Sequence, residues 1–201
     1  MKRILLISTL ILSISTYSQV EKLTGPRLGA VLITPGEMSW RIAGEQDFFD
    51  NVDEMPDNWD KSATIMLYGW QWETRFADGG DITGIVEWIA LVGGMERGLF
   101  LPSISSLVGL RTSKGAEFAL GPNVSLSGVG MVFGAGYNFK SGKLNLPVNI
   151  AFVPGRIANG ERRISDSYWD ENGNEIEAVY ENFTYETGSR ISITIGFNMS
   201  K

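Results

Sequence analysis

The 201-residue chain contains no cysteine and no histidine. Without Cys, no disulfide can stabilise it in an oxidising compartment, and no lipid can be attached through a lipoprotein cysteine. Without His, the usual general base of a Ser-His-Asp triad and every imidazole metal ligand are missing. Thiol catalysis and the common zinc sites are excluded with them. We therefore infer no enzyme activity and expect no catalytic residue, no metal site and no cofactor.

Long apolar runs are scarce as well. A basic pair precedes the apolar residues 4–14, and Thr16 and Ser18 occupy the small-residue positions of a cleavage site. This pattern predicts a signal peptide over residues 1–18, because the run is too short for a spanning helix. No later stretch reaches the roughly 18 apolar residues that a transmembrane helix requires. If the chain crosses a membrane, it does so with strands.

Basic residues are the minority once the predicted signal peptide is removed. Residues 19–201 then carry 15 basic and 23 acidic side chains, a net charge of −8. Such a surface repels nucleic acid, so no nucleic-acid partner is expected. No Pro-rich or Ser-rich linker divides this part of the chain, and its length suits one domain.

Two neighbouring segments alternate between apolar and polar residues with a period of two, which is typical of β-strands. Their apolar faces hold Met66, Tyr68, Trp70, Trp72 and Phe76 in residues 66–76, and Val86, Trp88, Ala90 and Val92 in residues 82–92. A Gly-rich and Asp-rich turn joins them. We expect a hairpin that sets Trp70 opposite Trp88 and Gln71 opposite Glu87.

Further alternating segments bring the predicted strand count to about eight. Strong segments cover residues 127–139, 144–152 and 191–199, and weaker ones cover 27–34, 104–111 and 115–120. Tight turns follow the second, fourth and sixth strands, whereas long acidic loops, residues 35–62 and 154–190, follow the first and seventh. This layout predicts an all-β fold, an antiparallel up-and-down β-barrel. A tight connection predicted at residues 121–123 departs from the layout.

The two faces of the strands predict two sets of residues. The apolar face predicts a lipid-facing belt of Tyr68, Trp70, Trp72, Trp88, Phe133 and Tyr137. The other face, largely Gly, Ser, Asn and Ala, suits a small polar interior, and it carries a predicted lumen charge cluster of Glu73, Arg75, Glu87, Arg111 and Glu117. That cluster is interpreted as an interior salt-bridge network, with a proton-handling site as the alternative.

The second long loop combines carboxylates with aromatic side chains. Its candidate contact surface consists of Tyr168, Trp169, Asp170, Glu175 and Tyr180. Aromatics among polar residues suit contact with a protein or a glycan, although they equally suit a small core within the loop. Asn172 and Gly173 predict a hairpin turn that extends a ribbon above the barrel.

Several short segments in the middle of the chain resemble a known family. They are Gly69-Trp70-Gln71-Trp72-Glu73, Glu87-Trp88, Gly98-Leu99-Phe100-Leu101-Pro102-Ser103, Gly115-Ala116-Glu117-Phe118 and Gly121-Pro122-Asn123. In these the chain is similar to uncharacterised, secreted, barrel-like outer-membrane proteins of Gram-negative bacteria. The resemblance implies the barrel fold and adds no activity.

Two functions follow from this reading. The first is a small outer-membrane barrel with a structural or interaction role, whose partner is the lipid bilayer. The alternative is a soluble periplasmic barrel that binds an apolar ligand. A belt of Trp and Tyr facing lipid would mark the first, and an apolar lumen would mark the second.

Overall fold

The computed structural model describes residues 22–44, 48, 52–56, 58–169 and 175–200. The predicted signal peptide, residues 1–18, lies outside them. The barrel strands are Lys22–Ile33 (β1), Ala63–Asp78 (β2), Ile82–Gly93 (β3), Leu101–Thr112 (β4), Ala116–Ser125 (β5), Gly128–Ser141 (β6), Leu144–Val153 (β7), Arg190–Gly196 (β12) and Asn198–Ser200 (β13). Between β7 and β12 lie Ile157–Ser165 (β8), Tyr168–Trp169 (β9), Glu175–Ile176 (β10) and Val179–Glu186 (β11).

The sheet closes on itself at β1. Its twelve residues pair with β2 on one side and with β12 and β13 on the other, and every pairing between neighbours is antiparallel. Because this sheet is closed, none of its strands is an edge strand that another chain could pair with. Since β12 and β13 act as one strand interrupted at Phe197, the predicted eight-stranded antiparallel barrel is confirmed.

Strand bounds differ most from the sequence reading at β1, which begins five residues earlier than predicted, and at β5, which ends five residues later. Residues 121–123, predicted as a connection, lie inside β5, and the turn falls at residues 126–127. Pro122 has no N–H to donate, and the β4–β5 ladder is interrupted opposite Ser106 and Leu107. A Cβ on Gly121 would lie 2.0 Å from the Ser106 carbonyl oxygen, so only glycine permits this close approach. The strand therefore continues through a segment whose sequence is typical of a turn.

The register of the first hairpin also differs from the prediction. Trp72 pairs with Trp88, and Glu73 pairs with Glu87, two residues away from the predicted alignment. The ladder contains a bulge between Arg75 and Ala77 that moves the turn beyond Asp78. Because the error is an even number of residues, each side chain keeps its predicted face.

The connections differ in length between the two ends of the barrel. Tight turns join β2 to β3, β4 to β5 and β6 to β7 at one end, which we call the turn rim. The longer connections after β1, β3 and β7 lie at the other end, the loop rim. One of them holds the 3₁₀ turn Met95–Arg97. The β5–β6 connection, residues 126–127, also lies at the loop rim and is a tight turn, so it departs from this division as the predicted tight connection after β5 did.

The loop of residues 35–62 contains a helix that the sequence analysis did not predict. Glu37–Ala43 (α1) packs Met38 and Ile42 against Val31 and Ile65 inside the barrel, and Val52–Glu54 forms a 3₁₀ turn. Arg41 Nε donates to Glu37 Oε1 at 2.8 Å, an i,i+4 pair that supports the helix. No helix among the described residues is long and apolar enough to cross a membrane.

The loop of residues 154–190 keeps its predicted bounds, because β7 ends at Val153 and β12 begins at Arg190, and much of it forms a ribbon. β8 pairs with β11, and β9 pairs with β10, so the chain leaves and re-enters the barrel as two paired strands. The predicted turn at Asn172 and Gly173 lies outside the described residues. At the ribbon base, the Gly155 N–H donates to Ser189 Oγ at 2.9 Å, and the Arg156 N–H donates to Thr187 Oγ1 at 3.1 Å.

Candidate functional site

The barrel interior holds a buried ion-pair network near the turn rim. Arg111 of β4 donates from Nη1 and Nη2 to the two carboxylate oxygens of Glu73 on β2, both at 2.6 Å. Its Nε donates to Glu117 Oε1 on β5. A bidentate pair plus a third charge-assisted bond satisfies three guanidinium donors in one plane. Three strands are thereby connected through the lumen.

A second pair lies deeper, toward the middle of the barrel. Gln71 Nε2 donates to Glu87 Oε1 at 2.5 Å, and both side chains are buried. Arg75, the fifth predicted member of the charge cluster, is half-buried near the end of β2. The structure thus places Glu73, Glu87, Arg111 and Glu117 in the interior, with Arg75 less enclosed.

Arg27 belongs to the same interior and was missed by the sequence analysis. It is only 1% exposed, and its Nε donates to Thr194 Oγ1 at 3.1 Å. The predicted first strand began at this residue, so its position on the inner face was not recognised. Extending the alternation back through Leu23 and Gly25 would have found it, because inward residues recur at every second position.

The charges of this interior are nearly balanced. Arg27 and Arg111 are buried with three glutamates, so each sign has a counterpart close by. Within the described residues, no three or more Asp or Glu side chains are grouped so as to hold a metal ion. Burying charge is costly unless it is paired and hydrogen-bonded. The arrangement therefore suits a network that fastens strands together across the lumen.

Between this network and the loop rim lies a cavity of about 140 Å³, which we call the rim cavity. Its floor includes Arg27, Glu87 and Glu117. Its mouth includes Leu126 and Arg190 at the loop rim. Arg190 is held there by hydrogen bonds from Nη1 to Ser125 Oγ at 2.8 Å and from Nη2 to Asn123 Oδ1 at 3.3 Å.

The rim cavity has two unlike walls. The apolar wall belongs to β1–β4 and α1, and includes Val31, Ile33, Met38, Ile65, Leu67, Leu91 and Leu107. The polar wall belongs to β4, β5 and β12, and includes Ser103, Ser105, Asn123, Ser125, Ser192 and Thr194. The prediction of a small polar interior is therefore wrong at this end, where apolar side chains line much of the cavity. The alternation of residues along a strand does not reveal this difference between the two ends of the interior. It assigns the apolar Leu67 and the small Gly69 to the same inner face of β2.

The six predicted belt residues all lie on the outside of the barrel. Tyr68, Trp70, Trp72, Trp88, Phe133 and Tyr137 are between 39% and 53% exposed. The Tyr137 and Phe139 rings are tilted neighbours with centroids 4.8 Å apart, and Trp72 pairs across the ladder with Trp88. An apolar outer face therefore surrounds a charged interior.

The predicted loop contact surface is only partly described. Tyr168 and Trp169 form β9, which pairs with β10 beginning at Glu175, and Glu175 is exposed. Tyr180 is exposed on β11, while Asp170 lies outside the described residues. Tyr168, Trp169 and Glu175 therefore lie in the β9–β10 pair, and Tyr180 lies in β11, which pairs with β8.

Comparisons with protein-family models, with curated proteins and with solved structures found no match to this chain.

Proposed function

We propose that the chain is a small outer-membrane barrel with a structural or interaction role. The observation that carries this proposal is an apolar outer surface present on every barrel strand. Examples in strand order are Leu28, Trp70, Trp88, Val108, Leu120, Phe133, Ile150 and Ile193, all at least 42% exposed. Water-soluble monomers rarely expose contiguous apolar patches beyond a few hundred Å². Surrounding lipid would remove this surface from water.

The positions of the charged residues also support an outer surface that faces lipid. On β4 to β7 the outward positions carry no Asp, Glu, Lys or Arg, whereas Arg111 and Glu117 on the same strands point inward. A soluble sandwich or barrel has its polar residues outside and its apolar residues inside. The reversed distribution is typical of strands that face lipid.

Hydrogen bonding on the outer face is consistent with a dry surrounding. Trp70 Nε1 donates to Thr24 Oγ1 at 2.7 Å, and the Thr24 hydroxyl in turn donates to the Gln71 carbonyl oxygen at 3.1 Å. The indole N–H therefore has a hydrogen-bond acceptor within the protein and needs no water. A polar group that lies in hydrocarbon requires such an internal partner. β4 and β5, with 12 and 10 residues, also meet the span of about 9 to 11 residues that a tilted strand needs.

The interaction part of the proposal rests on the ribbon at the loop rim. β8 and β11 expose Ile157, Ile164, Val179 and Tyr180 beyond the barrel wall. Apolar and aromatic side chains on an exposed ribbon suit contact with a protein or a glycan. The resemblance to secreted outer-membrane proteins agrees with this location and supplies no ligand.

The alternative is a soluble periplasmic barrel that holds an apolar ligand. The apolar wall of the rim cavity favours it, because Ile65 and Leu67 would contact such a ligand. The outer face does not, since solvent would then meet Trp70, Trp88 and their neighbours around the whole circumference. We therefore keep the membrane barrel as the primary proposal.

Cell fractionation tests the proposal directly. We expect the protein, expressed in a diderm host and washed free of periplasm, to remain with outer membranes until detergent is added. It should also migrate differently on a denaturing gel before and after boiling, because a closed barrel resists unfolding by detergent alone. Recovery in the periplasmic wash without detergent would exclude the outer-membrane proposal and favour the soluble barrel.

A further inference from the structure

The volume of the rim cavity sets the size of what it can hold. It measures about 140 Å³. An engineered apolar cavity of about 150 Å³ in another protein binds benzene. A ligand with a body of one six-membered ring therefore fits.

The walls determine the polarity of that ligand. A wholly apolar molecule would cover Leu67 and Leu107 but leave Ser105 and Asn123 without water. A wholly polar molecule would leave the apolar wall uncovered. Buried polar groups without hydrogen bonds and buried apolar groups against water are both unfavourable. Only an amphipathic molecule suits both walls.

The residues at the floor of the rim cavity limit which polar head group the ligand can carry. Among the described residues, Arg27 Nη1 is a buried donor and Glu117 Oε2 a buried acceptor, and neither has a hydrogen-bond partner. Glu87 also lines the floor. An anionic head would be repelled by the two carboxylates, and a cationic head, which has no acceptor, would leave Arg27 Nη1 unsatisfied. A neutral head that both accepts and donates matches the two groups.

Access and free space are also present. Leu126 and Ser127 of the β5–β6 turn line the mouth, so a ligand can enter from the loop rim. Gly134 on β6 lines the cavity, and a Cβ there would meet nothing closer than the Ala119 carbonyl oxygen at 3.5 Å. The missing side chain at this position is part of what keeps the cavity open.

We propose that the rim cavity binds a small amphipathic molecule with a compact apolar body and an alcohol or primary amide head. The body lies against β1–β4 and α1, while the head reaches toward Arg27 and Glu117. This site is inside the barrel and does not depend on whether lipid or water surrounds it.

A series of ring-sized probes tests the proposal on the purified folded protein. Binding of 4-fluorobenzyl alcohol is measured by fluorine NMR against protein-free detergent micelles, together with 4-fluorobenzoate, 4-fluorobenzylamine and 4-fluorotoluene. We expect saturable binding of the alcohol. The other three probes should bind about tenfold more weakly or worse, because none of them both accepts a hydrogen bond from Arg27 and donates one to Glu117. Absence of saturable binding, or tighter binding of the acid, the amine or the toluene, would overturn the proposal.

Two substitutions on β6 locate the site. Gly134→Leu fills the cavity and should abolish saturable binding of 4-fluorobenzyl alcohol. Val129→Leu enlarges a side chain on the outer face of the same strand, away from the cavity lining, and should leave binding unchanged. Equal binding by both variants would contradict the cavity as the site. If Gly134→Leu fails to fold, the probe series on the unsubstituted protein still decides. If fractionation shows a soluble protein, the same assay is run without detergent. Failure of the outer-membrane proposal and failure of the ligand-binding proposal can therefore be distinguished.

Discussion

Replacing Arg111 by Met should lower the free energy of unfolding by about 3–5 kcal/mol. The substitution removes three donors and leaves the Glu73 and Glu117 carboxylates buried without their counter-ion. Removing one partner of a buried pair costs more than the pair itself contributes, because the remaining charge has lost its solvation. The Met side chain fills a similar volume, so loss of packing does not explain the effect.

The effect is measured by urea unfolding of the refolded barrel in detergent micelles or vesicles. Arg163→Met is the matched control, since its ion pair with Asp166 is exposed at both ends and should contribute under about 1 kcal/mol. A triple variant carrying Arg111→Met with Glu73→Gln and Glu117→Gln should recover much of the loss. Equal losses for Arg111→Met and Arg163→Met would show that the interior network does not stabilise the barrel.

Placing Arg at Trp88 should strongly reduce folding into lipid vesicles. Trp88 is half-exposed on the outer face, and a basic residue on a lipid-facing position costs about 2–4 kcal/mol at the midplane. The yield of the heat-modifiable band after refolding into vesicles measures the effect. Trp88→Leu is the matched control, because it keeps an apolar side chain and should fold with nearly normal yield.

The neighbouring residue provides the second half of this experiment. Glu87 lies on the inner face, where its Oε1 accepts a hydrogen bond from Gln71. Glu87→Gln keeps an acceptor of the same shape and should cost much less than Trp88→Arg. If Arg were tolerated at Trp88 and Glu87→Gln were disruptive, the outer face would meet water instead of lipid, and the soluble barrel would be the better account.

The faces of the strands were predictable from the sequence, whereas the register was not. Alternation over Tyr68 to Trp72 assigns each side chain to one of two faces, and that assignment survives any even shift. The position of the turn depends on the bulge at Arg75, which leaves no mark in the alternation. Trp88 was consequently expected opposite Trp70 and lies opposite Trp72.

The interior site was predictable only where charge marks it. Glu73, Glu87, Arg111 and Glu117 stand out as charged residues on a face of small ones, and the structure brings them together. The rim cavity has no such signal. It arises because Gly134 faces apolar side chains of strands far away in the sequence, such as Leu107 on β4. Such a cavity forms only when the strands come together in the closed barrel, so the sequence of one strand alone does not predict it.

Helix α1 escaped prediction for a related reason. Its seven residues are too few for a sustained helical period, and its acidic surroundings read as a solvated loop. The spacing of Met38 and Ile42 is helical, but it acquires meaning only from the apolar residues Val31 and Ile65 beneath them. Tertiary packing therefore decides the local structure here.

The absence of cysteine permits a direct measurement of what surrounds the barrel. Single cysteines at Val108, which is 56% exposed, and at its neighbour Leu107, which is 4% exposed, can each carry a spin label. Collision rates with oxygen, which concentrates in lipid, and with a water-soluble nickel complex are then measured in vesicles. The outer-membrane account predicts high oxygen and low nickel collision rates for the label at Val108. High nickel and low oxygen collision rates at Val108 would contradict it, because the outer face would then meet water.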